Sequence, residues 1–153
     1  MTDDTRIPRS ALLLGLAGLL PFLWSATTHL FPDLAATAAQ VVSPMFVGAV
    51  VGITYGTVIL SFMSGVLWGF ATRAEGREAA VAYTLSVIPA LWAFFMVNDA
   101  SDISAIFLAA GFVGLLLLDA VFQAWGLAPR WWLRLRVMLT VVVLACLAIP
   151  LQA

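Results

Sequence analysis

The sequence predicts an all-α membrane protein: a compact bundle of five transmembrane helices, with the N-terminus cytoplasmic and the C-terminus periplasmic. Composition supports the class first. Of 153 residues, 63% are hydrophobic and only 10% are charged, and the mean hydropathy is +1.08. A soluble globular domain averages about 45–50% apolar and about 25% charged residues. A soluble chain of this length has too little interior to hide so much apolar surface. The second observation is five apolar runs near the ~20 residues that a helix needs to cross the hydrocarbon core. The third is the segregation of every basic residue into alternate connections.

The five runs are residues 10–30, 46–71, 80–97, 103–122 and 135–151. Pro32, Pro44 and Pro129 fall between them, and Ser101 with Asp102 is suited to cap the fourth helix. The connections are short, so residues 1–153 read as a single multi-pass unit with neighbouring helices antiparallel. All seven basic residues are arginines. Arg6 and Arg9 precede helix 1, Arg73 and Arg77 join helices 2 and 3, and Arg130, Arg134 and Arg136 join helices 4 and 5. Residues 31–45 and 98–102 carry no basic residue, only Asp33, Asp99 and Asp102. Cytoplasmic loops of bacterial inner-membrane proteins collect Lys and Arg, which places all seven arginines on the inner side of a five-pass chain. Trp68, Trp125, Trp131 and Trp132 then lie at the inner interface and Trp24 and Trp92 toward the outer one, as an aromatic belt would. The first apolar stretch runs to Phe31, longer than the core of a cleaved signal, and is expected to remain as helix 1.

Helix 2 carries the strongest internal pattern. Gly48, Gly52 and Gly56 recur every fourth residue, as do Ser61, Gly65 and Gly69. Small residues at this spacing let membrane helices approach closely. Their different angular positions predict a central helix that packs against different neighbours in its two halves, with Gly52 and Gly65 at close contacts. Thr54, Thr57, Ser61, Ser64 and Trp68 form a second, narrow stripe. We read it as interhelical hydrogen bonding, with a polar track for protons or a small solute as the alternative. Pro21 and Pro89 fall near the midpoints of helices 1 and 3. They free the carbonyls of Ala17 and Leu85, with Ser86 placed to compensate in helix 3. Kinks that shape the bundle are the expected result, against the broken helices of a transporter site.

Asp119 is the one acidic residue inside a predicted span. An intramembrane carboxylate needs a partner, and Arg136 and Arg73 lie at its depth. A structural clamp is expected, with a proton or ligand role as the competitor. His29, Asp33, Asp99 and Asp102 gather on the outer side near Met45 and Met96, a set thin for copper or haem. The chain has one cysteine, Cys146, which excludes an intrachain disulfide and zinc sites built from several cysteines. No catalytic triad, HExxH motif or phosphate loop appears, and no basic patch tracks nucleic acid. No cofactor and no enzymatic activity are expected. The expected partners are the lipid bilayer and other membrane subunits.

Residues 55–69, YGTVILSFMSGVLWG, resemble the signature of the uncharacterised domain-of-unknown-function 3429 family, the transmembrane protein 69-like proteins of bacteria and mitochondria. Residues 12–21 (LLLGLAGLLP), 86–89 (SVIP) and 129–140 (PRWWLRLRVMLT) resemble it in the same order. On this resemblance Tyr55, Ser61, Ser64 and Trp68 belong to the family motif, and a small multi-pass protein of a bacterial inner membrane is implied. It brings no established reaction. One departure is Leu67, where family members often carry a His. The expected function is therefore a non-catalytic accessory, assembly or stabilising component of a larger membrane complex, with a respiratory setting suggested by the mitochondrial relatives. The alternatives are a small transporter or proton-coupled carrier and, third, a haem- or metal-binding protein.

Overall fold

The computed structural model describes residues 5–149. The described chain is helical, without a strand: α1 (Arg9–Ala17), α2 (Leu20–Leu30), α3 (Pro32–Val41), a 3-10 turn (Pro44–Phe46), α4 (Ala49–Ala71), α5 (Gly76–Met96), α6 (Asp102–Ala124) and α7 (Trp132–Ala148). Four stretches are long and apolar enough to cross a membrane: Arg9–Leu30, which joins α1 and α2, then α4, α5 and α6. The predicted fifth span, 135–151, corresponds to α7 with 17 described residues, and its last two positions lie outside the described residues.

Sequence pattern and chain conformation part company at several ends. The expected helix 1 is two helices. Pro21 cannot donate to the carbonyl of Ala17, and the chain tightens there, with Leu19 N–H donating to Leu16 O at 3.0 Å. Pro21 therefore sits in the first turn of α2, where its missing N–H costs nothing. The connection 31–45, expected as a loop, contains α3, whose Ala-rich sequence favours helix. The apolar run starts at residue 46, but the helix begins at Ala49, because Gly48 adopts φ +66°, a positive φ suited to glycine. Gly48 is thus outside the small-residue helix stripe to which the spacing assigns it. In α5, by contrast, Pro89 is buried within a continuous helix. The Ser86 hydroxyl does not compensate for the Leu85 carbonyl; it donates to Tyr83 O at 2.8 Å.

The bundle assembles around α4, which touches α2, α5, α6 and α7. Its junction with α2 is held through the Gly48 peptide. The Thr28 hydroxyl accepts from Gly48 N–H at 2.8 Å, and the Ser25 hydroxyl donates to Gly48 O at 2.8 Å. One turn on, a Cβ placed on Gly52 would lie 2.6 Å from Ser25 Oγ, and one on Gly56 2.6 Å from a Leu108 methyl. Gly111 of α6 reciprocates, receiving Leu60 of α4. These close approaches enclose Phe22, Leu60, Leu108, Phe112 and Leu115. Against α5, the Ser64 hydroxyl donates to the Ser86 carbonyl.

The second small stripe behaves otherwise. Gly65 and Gly69 are exposed, and a Cβ on either would meet nothing within 4 Å. The expected close contact at Gly65 is therefore absent from the described bundle, and the stripe opens onto its outer surface. The hydroxyl stripe is divided as well. Thr54, Ser61 and Trp68 are exposed, Ser64 is buried, and the Thr57 hydroxyl donates to Ile53 of its own helix at 2.8 Å. It forms no continuous internal track.

These contacts separate the two glycines experimentally. Gly52→Leu forces a branched side chain onto Ser25, and overpacking of this kind costs about 1–3 kcal/mol. Gly65→Leu points into open space and should leave stability unchanged. Detergent melting curves of the two variants should differ accordingly.

Candidate functional site

The connection from α6 to α7 brings the inner polar residues together. α6 is closed by Gly126, just past its last residue Ala124 and cap Trp125, with φ +73°. Gly126 N–H donates to Gln123 O at 3.0 Å and Leu127 N–H to Phe122 O at 2.9 Å, the double bond of a glycine-terminated helix. The Gln123 side chain then accepts from Leu133 N–H at 3.1 Å, which fixes the start of α7 beside the end of α6. This turn carries Asp119 and Arg136 into contact.

Asp119 is fully buried, at 0% exposure, and Arg136 is 5% exposed. Arg136 Nε donates to Asp119 Oδ2 at 2.9 Å. The other carboxylate oxygen accepts from Trp132 Nε1 at 2.7 Å. Both oxygens are thus engaged by donors from one face of α7, four residues apart. Of the two arginines considered as partners, the structure pairs Arg136. Arg73 instead donates from Nη1 to Leu127 O at 3.1 Å and lies 5.8 Å from the Phe70 ring centre. It ties the end of α4 to the same turn without reaching the carboxylate.

Trp132, whose aromatic type points to the interfacial belt, instead joins this pair. A signal was available. Positions 132, 136 and 140 follow the four-residue spacing that places side chains on one helix face, so a partner for Arg136 was also a candidate neighbour of Trp132. Trp132 packs edge-on against Phe70, with ring centres 5.2 Å apart.

The remaining candidates are dispersed. Tyr55 packs edge-on against Phe22 at 5.3 Å, on the side of α4 facing α1 and α2. Trp68 packs against Tyr83 at 4.7 Å and keeps 49% exposure. His29 is half-buried in the last turn of α2. The expected gathering of His29 with the outer aspartates does not form a metal-binding group: among the described residues no three His, Cys, Asp or Glu side chains come together. Asp99 serves local structure. It accepts from the hydroxyls of Ser101 and Ser104, each at 2.6 Å. These bonds, with one from Ser101 N–H, hold its carboxyl below the usual carboxylate range. Ser101 in turn caps α6 by accepting from Ser104 N–H.

Comparison with known proteins places this arrangement in a family. Residues 7–152 match the family described as Protein of unknown function (DUF3429). The chain belongs to this family. It is also 34% identical over 145 residues to Transmembrane protein 69 of Xenopus tropicalis, an alignment covering 88% of this chain and 51% of the relative. The chain thus spans about half the length of that relative. No solved structure matches. The family is one of uncharacterised membrane-type proteins, and this chain's apolar helices agree with that class.

The contact geometry predicts how the pair responds to substitution. Asp119→Asn leaves the Arg136 cation without its counter-charge in a buried site, and breaking such a pair costs about 3–5 kcal/mol. Replacing both members together, Asp119→Leu with Arg136→Met, should restore most of that loss. An Arg73→Met partner change should not. The measurement is a double-mutant cycle on detergent melting temperature.

Proposed function

We propose that this is a five-span protein of a bacterial inner membrane, N-terminus inside, that acts without catalysis as an accessory, assembly or stabilising subunit of a larger membrane complex. The arginines support the first four crossings: residues 73, 77, 130, 134 and 136 share one side and residues 31–45 and 98–102 the other, whether or not α7 crosses. The fifth crossing is supported by the apolar run 135–151 that contains most of α7.

The observation that carries the accessory role is the outward face of α4. Ser61, Gly65 and Gly69 are exposed one turn apart, with Trp68 beside them. Hydrocarbon tails pack as well against a leucine as against a glycine, so small residues confer no advantage on a lipid-facing surface. They do admit a second helix to close backbone contact. An occupied Asp119 carboxylate, with a donor on each oxygen, favours a structural part over proton carriage.

Two experiments test the reading. Alkaline phosphatase fused within residues 33–43 or after Ala153 should be active, and fusions after Arg77 or Arg130 inactive; activity after Arg77 would overturn the topology. In gentle detergent, tagged wild-type protein should retain other subunits by mass spectrometry, and Gly65→Leu should lose them while melting as the wild type does. Retention of the same subunits by Gly65→Leu, or recovery of this chain alone from the wild type, would overturn the accessory role.

A further inference from the structure

The connection between α2 and α4 carries large apolar side chains that the described bundle leaves uncovered. Its helix α3 touches α2 and the 3-10 turn, and the half-buried positions along it are Ala35, Ala38 and Ala39. At about 100° per residue, Leu34 and Val41 fall together on one flank of that docked side. Asp33, Thr37 and Gln40 fall opposite it. Leu34 and Val41 are exposed, and so are Phe31, Val42 and Met45 next to the helix ends. A gathering of exposed apolar side chains marks contact with a membrane or with another protein.

Continuity decides between the two. α2 turns Leu20, Leu23 and Leu30 outward, on the stretch Arg9–Leu30 that is long and apolar enough to cross a bilayer. A hollow lined by Leu20, Leu23, Trp24, Thr27 and Phe46 lies on this face. A second, lined by Thr27, Phe31, Pro32, Asp33 and Leu34, adjoins it at Thr27. The Thr27 hydroxyl donates back to Leu23 O at 2.8 Å, so it is already satisfied within α2. The outward face of α2 therefore runs on to the Leu34 flank of α3. Two polar groups set the depth. Asp33 needs water and holds the second hollow at headgroup level. The Trp24 indole, which donates to Phe46 O at 2.7 Å, is of the type that settles at that same level. Residues 31–45 carry no Lys or Arg, so attraction to anionic headgroups contributes nothing. Attachment to an apolar spanning-length helix at each end holds α3 at the surface without it.

We propose that α3 is an interfacial helix, its Leu34 and Val41 seated at the boundary of headgroups and acyl chains and its Asp33, Thr37 and Gln40 in water. In the orientation proposed above, this boundary belongs to the outer leaflet. The inference rests on the membrane reading and not on the accessory role. Spin labels test it, placed singly through Leu34→Cys, Val41→Cys, Thr37→Cys and Gln40→Cys in the full chain, reconstituted in phosphatidylcholine vesicles. Collisions with oxygen, which concentrates in the bilayer, are compared with those of a neutral nickel chelate, which concentrates in water and is present on both sides. The native Cys146 is buried, and the unsubstituted chain measures its background. Leu117→Cys, at an exposed position of α6, is the lipid reference. Oxygen should exceed nickel at Leu34 and Val41, as at Leu117, and the order should reverse at Thr37 and Gln40. Nickel excess at Leu34 and Val41 would put α3 in water and overturn the proposal. Shielding of both positions from both reagents would mean that a second copy covers the flank, and oxygen excess at all four that the helix is immersed; either result rejects an interfacial seat. Nickel excess at Leu117 would overturn the membrane reading and this proposal with it, so the two failures are told apart.

Discussion

Close backbone approach along α4 is the constraint on which the other contacts depend. Between helices in hydrocarbon there is no water to expel, so association rests on packing and hydrogen bonds. Gly52, Gly56 and Gly111 remove the side chains that would hold α2 and α6 away, and Ser25, Leu108 and Leu60 occupy the space. The Gly48 peptide then locks α2 at the start of α4 through both its N–H and its carbonyl. With α2, α4 and α6 set at these distances, Phe22 and Phe112 meet edge-on with ring centres 6.1 Å apart. α5 and α7 pack onto this centre.

Polar contacts collect at the two ends of the bundle. At one end are the Gly48 bonds, the Trp24 indole donating to Phe46 O at 2.7 Å, and the Asp99 cluster. At the other are the Arg73, Gln123, Trp132 and Arg136 bonds around the α6–α7 turn. Between the ends the buried core is largely apolar, apart from the Ser64–Ser86 contact near Pro89 and the buried Thr140 of α7. In a medium without water each buried polar group needs a protein partner, and this chain supplies most of them where helices begin and end. The deepest exception, Asp119, receives two donors.

Composition and hydropathy made the helical membrane class legible, because those signals are sums over many residues and tolerate local error. The centrality of α4 and the need of Asp119 for an arginine were also readable from spacing and charge. Three features were not. Four-residue spacing reports that small residues share a face but not which way the face points, so Gly52 and Gly65 looked alike although one is buried and the other exposed. Hydropathy spans Gly18 without interruption, while the absent N–H of Pro21 splits the helix there. Trp132 was read by its aromatic type, whereas its position one turn before Arg136 sets its partner. In each case direction around the helix axis decided the outcome, and that depends on neighbours distant in sequence.

The pairing of Asp119 with residues of α7 also has a temporal side. Ribosomes make α6 first, and both donors to its carboxylate, Trp132 and Arg136, emerge only 13 and 17 residues later. Until they arrive, the most buried acid of the bundle has no counterpart, and α6 is a reluctant guest in the bilayer. Completion of the final helix is therefore also the step that neutralises the one before it. A chain interrupted ahead of position 132 would lack both donors to that carboxylate.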